Sequence, residues 1–284
     1  MSQSLSGSRF ELRVTHEGSA ENKAADYFAI YSGDSLQAEQ GDDLIGYVHS
    51  WEVGSTVDGP GIRFVAFLTG CWLRCQFCHN PDTWHKHNGH PVTVARAMRE
   101  IGKYAQVLKI SRGGLTLSGG EPMVQREFTM EIFRRCKQLG LHTCIDTSGR
   151  LGEKMTDEDL SYIDLNLLDI KSGDPDVYKT ITRNPLQPTL DYALRLSNLG
   201  RPMWIRYVLV PGLSDGYDNV EKVAEFVAGL KAVERVEILR FHQMGREKWH
   251  KLGLDYTLEN VEPPDAELTE RVRGQFRSRG LTVY

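Results

Sequence analysis

No stretch of this 284-residue sequence stays apolar for long enough to cross a bilayer. The longest apolar runs, such as Phe64 to Leu68 and Val208 to Val210, break off within a turn or two, which excludes a helical membrane protein. Basic runs are also missing. With 34 Lys and Arg against 38 Asp and Glu, the net charge is -4, and nothing in the chain resembles the electrostatic footprint of a nucleic-acid or membrane-surface binder. The opening residues, Met1 to Arg9, lack the charged start, apolar core and small-residue cleavage site of a secretory signal, so the expected location is cytoplasmic. A disulfide framework is excluded on similar grounds, because the five cysteines are odd in number and three of them crowd together. There is no internal repeat.

What is present organises itself around that crowd. Cys71, Cys75 and Cys78 form a Cys-x3-Cys-x2-Cys loop that follows an apolar run and precedes Pro81. Thiolates are soft ligands, suited to iron-sulfur clusters or zinc rather than to hard cations. Three local thiolates leave one iron of a four-iron cluster without a protein ligand. The competing readings are a zinc site completed by His79 and three free buried thiols. No second Cys-x2-Cys or His-x3-His pair accompanies the first, as structural zinc sites usually require. Cys136 and Cys144 stand alone, one on a helical stripe and one inside a strand, and read as core residues.

With 40% hydrophobic residues, the chain can bury an ordinary core. Residues 1–44 are polar with scattered aromatics and read as a flexible or loosely docked N-terminal extension, with a small strand around Tyr27 to Tyr31 as the alternative. From Ile45 onward, short β-rich runs alternate with amphipathic helical stretches. Strands are expected at Ile45 to Trp51, Ile62 to Leu68, Gly114 to Leu117, Thr143 to Ile145, Leu165 to Ile170, Met203 to Val210, Val236 to Phe241 and Leu281 to Val283. Helices are expected at Thr93 to Leu108, Val124 to Leu139, Asp157 to Ile163, Leu190 to Leu199, Asp218 to Leu230 and Asp265 to Arg279. A glycine-rich loop, Gly54 to Gly61, joins the first two strands. This alternation implies right-handed βαβ units and a parallel sheet. The fold class is therefore α/β: an open, partial parallel (β/α)6 barrel over residues 45–284, preceded by the extension.

In such architectures chemistry gathers at the C-terminal strand ends. The cysteine loop, Ser118-Gly119-Gly120-Glu121-Pro122, Asp146-Thr147-Ser148-Gly149, Asp169-Ile170-Lys171, Pro211-Gly212 and Phe241-His242 all follow strands. Glycines at a strand end let a small ligand approach the backbone, and the Glu121 carboxylate is suited to an amine. Each cluster also has an ordinary reading: an ion pair for Lys171 and Asp169, a helix cap for Asp146 and Thr147, a core histidine for His242, a structural donor for Arg206. Their common location favours one site.

Together, the cysteine spacing with Phe77 before the last Cys, and Gly-Gly-Glu-Pro one βα unit later, resemble the radical S-adenosylmethionine superfamily. Thr56 to Arg63, Cys78 to Trp84, Thr143 to Gly149, Trp204 to Val208 and Lys248-Trp249 resemble, more closely, its glycyl radical activases of the pyruvate formate-lyase type. The likeness runs from about Gly46 to Tyr284. It implies that Cys71, Cys75 and Cys78 bind a 4Fe-4S cluster whose fourth iron chelates S-adenosylmethionine. It further implies that Gly119, Gly120 and Glu121 hold the methionine amine, and that Lys171 faces the carboxylate. Arg206 would lie near the methionine moiety or ribose, and Phe77, His79 and His242 would line the adenosine, with Ile170 beside them. Asp146, Thr147, Asp169 and the backbone of Leu167, which stands where the family has a methionine, match a monovalent cation site. Asp58 would meet the substrate peptide.

The activity so implied is reductive cleavage of S-adenosylmethionine, followed by removal of a hydrogen from a glycine Cα of the partner enzyme. The implied partners are pyruvate formate-lyase as protein substrate and a flavodoxin or ferredoxin as reductant, with the chain acting as a monomer. Activators of other glycyl radical enzymes often carry an inserted ferredoxin-like segment rich in cysteine, which this chain lacks. Another radical S-adenosylmethionine activity and a zinc-binding interaction module are the alternatives.

Overall fold

A computed structural model describes residues 44–284. The expectations for residues 1–43, including the strand near Tyr27, lie outside the described residues. Eight strands form one sheet in the order β3-β1-β2-β4-β5-β6-β7-β8. They are β1 (Ile45–Ser55), β2 (Arg63–Leu68), β3 (His90–Thr93), β4 (Gly114–Gly119), β5 (His142–Thr147), β6 (Leu165–Asp169), β7 (Met203–Leu209) and β8 (Val233–Arg240). β2 and β4 to β8 run parallel, each joined to the next through helices. β8 does not return to pair with β2, so the six-strand parallel set stays open. The partial barrel expected from the sequence is present, and β1 and β3 extend it as an antiparallel flank.

The two faces of the sheet follow from its period of two. Leu115, Leu117, Ile145, Leu168, Ile205, Tyr207 and Val236 point outward into the main core, where helices cover them. The alternate positions face inward. Deep in the barrel Cys144, Leu165, Leu167 and Trp204 form a small apolar plug. Toward the C-terminal strand ends the inward positions turn polar, with Ser118, Asp146, Asp169 and Arg206. The core therefore supports a polar bowl at one end of the sheet.

Several elements differ from expectation for identifiable reasons. The helix expected from Thr93 to Leu108 is broken into Val94–Gly102 and Ala105–Ile110, and Thr93 caps the first piece by accepting from the Arg96 amide at 3.2 Å. β3 precedes it as a short edge strand holding Pro91, a placement proline tolerates because an edge N–H needs no partner. The helix expected from Val124 opens as a 3-10 turn, Pro122–Gln125, before Arg126–Gln138. Helices Pro175–Thr182 and Arg246–Lys251 are too short for periodicity to reveal, although Asp174 caps the first through the Asp176 and Val177 amides at 3.0 and 3.3 Å. The expected last strand is only a single parallel bridge between Val236 and Val283. No helix among the described residues is long and apolar enough to cross a membrane.

Candidate active site

The three clustered thiols sit on a loop whose path is fixed by backbone bonds to neighbours on both sides. Gly70 and Cys71 donate to the carbonyls of Thr83 and Trp84 at 2.7 and 3.0 Å, while Arg74 and Gln76 donate to Thr182 and Ile181 at 2.9 and 3.0 Å. The Trp249 indole donates to the Cys78 carbonyl at 2.8 Å, and Lys248 reaches Asn80 at 2.8 Å. Helix Arg246–Lys251 thus straps the segment that carries the third cysteine. Spacing gives Lys248-Trp249 no role, and only the fold shows what the pair touches.

All three thiols line a single cavity of about 450 Å³. Its wall also includes Phe77, His79, Gly119, Gly120, Asp146, Thr147, Asp169, Lys171, Arg206, His242 and Asp58. Residues from seven separate stretches of chain are therefore brought together at one end of the sheet. Gly119 is obligatory at its place: its φ is +106°, and a Cβ there would lie 2.4 Å from the Leu68 carbonyl oxygen. The rings of His79 and His242 stack at 4.2 Å, and His242 Nδ1 is buried without a hydrogen-bond partner.

Three of the expected site residues do not line the cavity. The Glu121 side chain is buried and turned into the β5 loop, where it accepts from Thr147 Oγ1 at 2.7 Å, Ser148 N at 3.0 Å and Ser148 Oγ at 2.6 Å. A carboxylate so occupied pins a loop and is not free to meet an amine. Leu167 belongs to the apolar plug and Ile170 to the outer core, so only their backbones are available to a ligand.

Electrostatics in the bowl centre on two buried cations. Burial opposes the charge on Lys171, yet Asp169, hydrogen-bonded at 2.9 Å, and Cys75 raise its pKa above the ordinary lysine value. Lys171 also lies 5.5 Å from the centre of the Phe77 ring. Arg206 behaves in the same way. Against its own desolvation it is held charged by Asp146 at 3.5 Å, Glu237 at 3.1 Å and Asp58 at 3.7 Å. Its Nη2 also donates to the Val57 carbonyl. Asp146 is pushed up to about 6 by burial, with Arg206 pulling the other way and Ser118 Oγ donating at 2.6 Å. Glu237 is not among the residues expected at the site; its signal in the sequence is the β8 alternation, which places it on the inner face two residues from Arg235.

The glycine-rich loop enters from an unexpected direction. β1 is antiparallel to β2, so Ser55 pairs with Arg63 at the N-terminal end of the parallel strands. From there the loop reaches inward, and Asp58 joins the cavity wall, its carboxylate held by Ser55 Oγ at 2.6 Å.

The donor set fits an iron-sulfur cluster. All five cysteines are free, and the three that share the cavity are soft donors. Burial pushes the Cys71 and Cys78 thiols up and the Cys75 thiol up to about 12, so a metal would have to displace their protons. No three His, Cys, Asp or Glu side chains among the described residues are gathered to hold a single metal ion. Beside the thiols, strand-end backbone, Lys171 and Asp169 offer partners for both ends of an amino acid.

Comparison with known proteins agrees with this chemistry. The Radical SAM superfamily matches residues 65–227. The chain is 43% identical over 242 residues to the pyruvate formate-lyase 1-activating enzyme of Escherichia coli (strain K12), covering 84% of this chain and 98% of that protein. It is 46% identical over 231 residues to the pyruvate formate-lyase-activating enzyme of Staphylococcus epidermidis, covering 79% and 92%. A crystal structure of a domain of the activating enzyme from Bacteroides vulgatus superposes with a TM-score of 0.52 at 28% identity, over 61% of this chain and 98% of that domain. A radical SAM methyltransferase from Sphaerobacter thermophilus shares the fold, with a TM-score of 0.56 at 17% identity over 84% of this chain and 76% of that one. This chain belongs to the radical SAM superfamily and, within it, to the family of pyruvate formate-lyase activating enzymes.

Proposed function

We propose that this enzyme generates a glycyl radical in pyruvate formate-lyase. Cys71, Cys75 and Cys78 would hold the 4Fe-4S cluster. That group would supply the electron for reductive cleavage of S-adenosylmethionine, and so the 5′-deoxyadenosyl radical that would take a hydrogen from a glycine Cα. The protein's own groups bind and orient. The backbone of Gly119 and Gly120 receives the amine, while Lys171, held charged by Asp169, faces the carboxylate. Phe77, His79 and His242 enclose the adenosine, and the unpartnered His242 Nδ1 offers it a polar contact. Asp146, Thr147, Asp169 and the Leu167 carbonyl would hold a monovalent cation. Arg206 orders this acidic group, and Asp58 meets the substrate peptide. No side chain is needed as acid or base.

A flavodoxin or ferredoxin serves as reductant, and the enzyme acts as a cytoplasmic monomer. The observation that carries the reading is the shared cavity, in which the thiols, the strand-end polar groups and Asp58 face one another. Anaerobic incubation with reductant, S-adenosylmethionine and pyruvate formate-lyase should give a glycyl radical by electron spin resonance. Cleavage of S-adenosylmethionine without that signal would refute the substrate, and stoichiometric zinc without iron would refute the cluster.

A further inference from the structure

We infer that Arg63 and Thr116 form a brace beneath the cavity that sets the position of Asp58, and so act as positioning residues for the substrate peptide. The inference rests on Asp58 facing that peptide. Arg63 opens β2 on its inner face and is 0% exposed. A guanidinium so deep normally requires a carboxylate, yet among the described residues none lies within ion-pair distance of it. Its contacts are all neutral. Nε donates to Thr116 Oγ1 at 2.9 Å, Nη1 approaches the Pro60 carbonyl at 3.4 Å and His142 Nδ1 at 3.2 Å, and Nη2 donates to the Leu115 carbonyl.

Two observations say what this unpaired cation is for. Thr116 Oγ1, which accepts from Arg63, donates in turn to the Asp58 carbonyl at 2.6 Å. Proton traffic through the hydroxyl is thereby fixed: with Arg63 donating in, its own hydrogen must point at the loop. The loop also closes over the guanidinium, since a Cβ at Gly59, where φ is +125°, would lie 3.1 Å from Arg63 Nε. Burial and then Arg63 itself drive the His142 pKa down to about 4, so the ring is neutral and Nδ1 is free to accept. The fork of Arg63 therefore gathers Pro60, Thr116 and His142 around one rigid plane, and Asp58 hangs from it by its main chain. The Asp58 carboxylate still borders the cavity, where Ser55 Oγ at 2.6 Å and Arg206 at 3.7 Å engage it, so the main-chain bond from Thr116 acts on the loop and not on the carboxylate.

The test uses Thr116→Val, which keeps volume and removes the hydroxyl, and Thr116→Ser, which restores it. Substrate is a synthetic peptide carrying the radical-site glycine of pyruvate formate-lyase, with the reconstituted enzyme. In T116V the KM for the peptide should rise roughly tenfold, the size of a lost bond worth about 1.4 kcal/mol. Radical yield at saturating peptide and the dissociation constant for S-adenosylmethionine should stay within about twofold of the parent, and T116S should behave as the parent. Amide hydrogen exchange over residues 55–62 should quicken in T116V only. An unchanged KM, a matching loss of S-adenosylmethionine affinity, or failure of serine to rescue overturns the role in peptide positioning. Unchanged exchange overturns the brace itself, and that arm decides even if the parent enzyme makes no radical on the peptide, which would instead refute the proposed function.

Discussion

Replacing Glu121 separates a loop pin from an amine holder. Its carboxylate is 1% exposed and accepts from two hydroxyls and the Ser148 amide, with a long contact from the Met123 amide at 3.4 Å. Alanine leaves the Ser148 N–H without an acceptor, which costs about 1–3 kcal/mol, and the void left by the side chain adds about 2 kcal/mol. Glutamine keeps one oxygen for Ser148 and turns its amide toward Thr147 Oγ1, a hydroxyl able to accept. It also removes a charge that burial disfavours, as the raised Glu121 pKa records. The expected losses are therefore about 3–5 kcal/mol for E121A and about 1–2 kcal/mol for E121Q, read from urea unfolding under anaerobic reducing conditions. S-adenosylmethionine affinity of the reconstituted E121Q enzyme should fall no more than about threefold, since the Glu121 side chain does not line the cavity and its oxygens are taken by Thr147 and Ser148. A folded E121Q protein that no longer binds S-adenosylmethionine refutes the reasoning, because the carboxylate would then hold the amine directly.

Cys75→Ser should lower iron from about four per chain to near none after anaerobic reconstitution while the far-ultraviolet dichroism persists; full iron content overturns the ligand assignment. Asp146 has a folded pKa raised to about 6, so the folded state holds its proton where the unfolded state has lost it, and stability contributed by that proton disappears as pH rises through the window from about 4 to about 6. Glu121 acts in the same sense, so the readout is the difference between parent and D146N, whose slope of unfolding free energy against pH should be shallower there. Equal slopes exclude a raised Asp146. Gly61→Ala places a Cβ 2.4 Å from the Ser111 carbonyl oxygen at φ +67°, and should lower Tm by roughly 5 °C or more, consistent with a loss above about 2 kcal/mol. An unchanged Tm contradicts the close approach.

The parallel alternation was legible because β-rich runs of inward polar and outward apolar residues carry their own period, as in Thr116 and Ser118 against Leu115 and Leu117. Strand ends were equally legible, since glycine pairs and isolated charges interrupt the pattern there. What escaped was decided by tertiary contact. β3 has too few residues for a period, and the break after Gly102 shows no proline to announce it. Glu121 had the residue type expected of a ligand, yet its direction depends on Thr147 and Ser148, one strand away in space. Nothing in the spacing of Asp58 to Arg63 says that this loop rises from the far end of the strands, because that follows from β1 running against β2. Glu237 and Thr116 sit in ordinary strand sequence and acquire meaning only from the guanidinium each one faces.

In a closed barrel the ladder between last and first strands sets the bore. Here β8 and β2 do not pair, so backbone hydrogen bonds leave the width of the mouth undetermined. One guanidinium supplies what the missing ladder would have: Arg206, on β7, reaches Asp146 on β5, Glu237 on β8 and the Val57-Asp58 turn at once. It works as a keystone, locking an arch whose two ends never meet. The gauge of the opening is thus written in charge rather than in main-chain pairing.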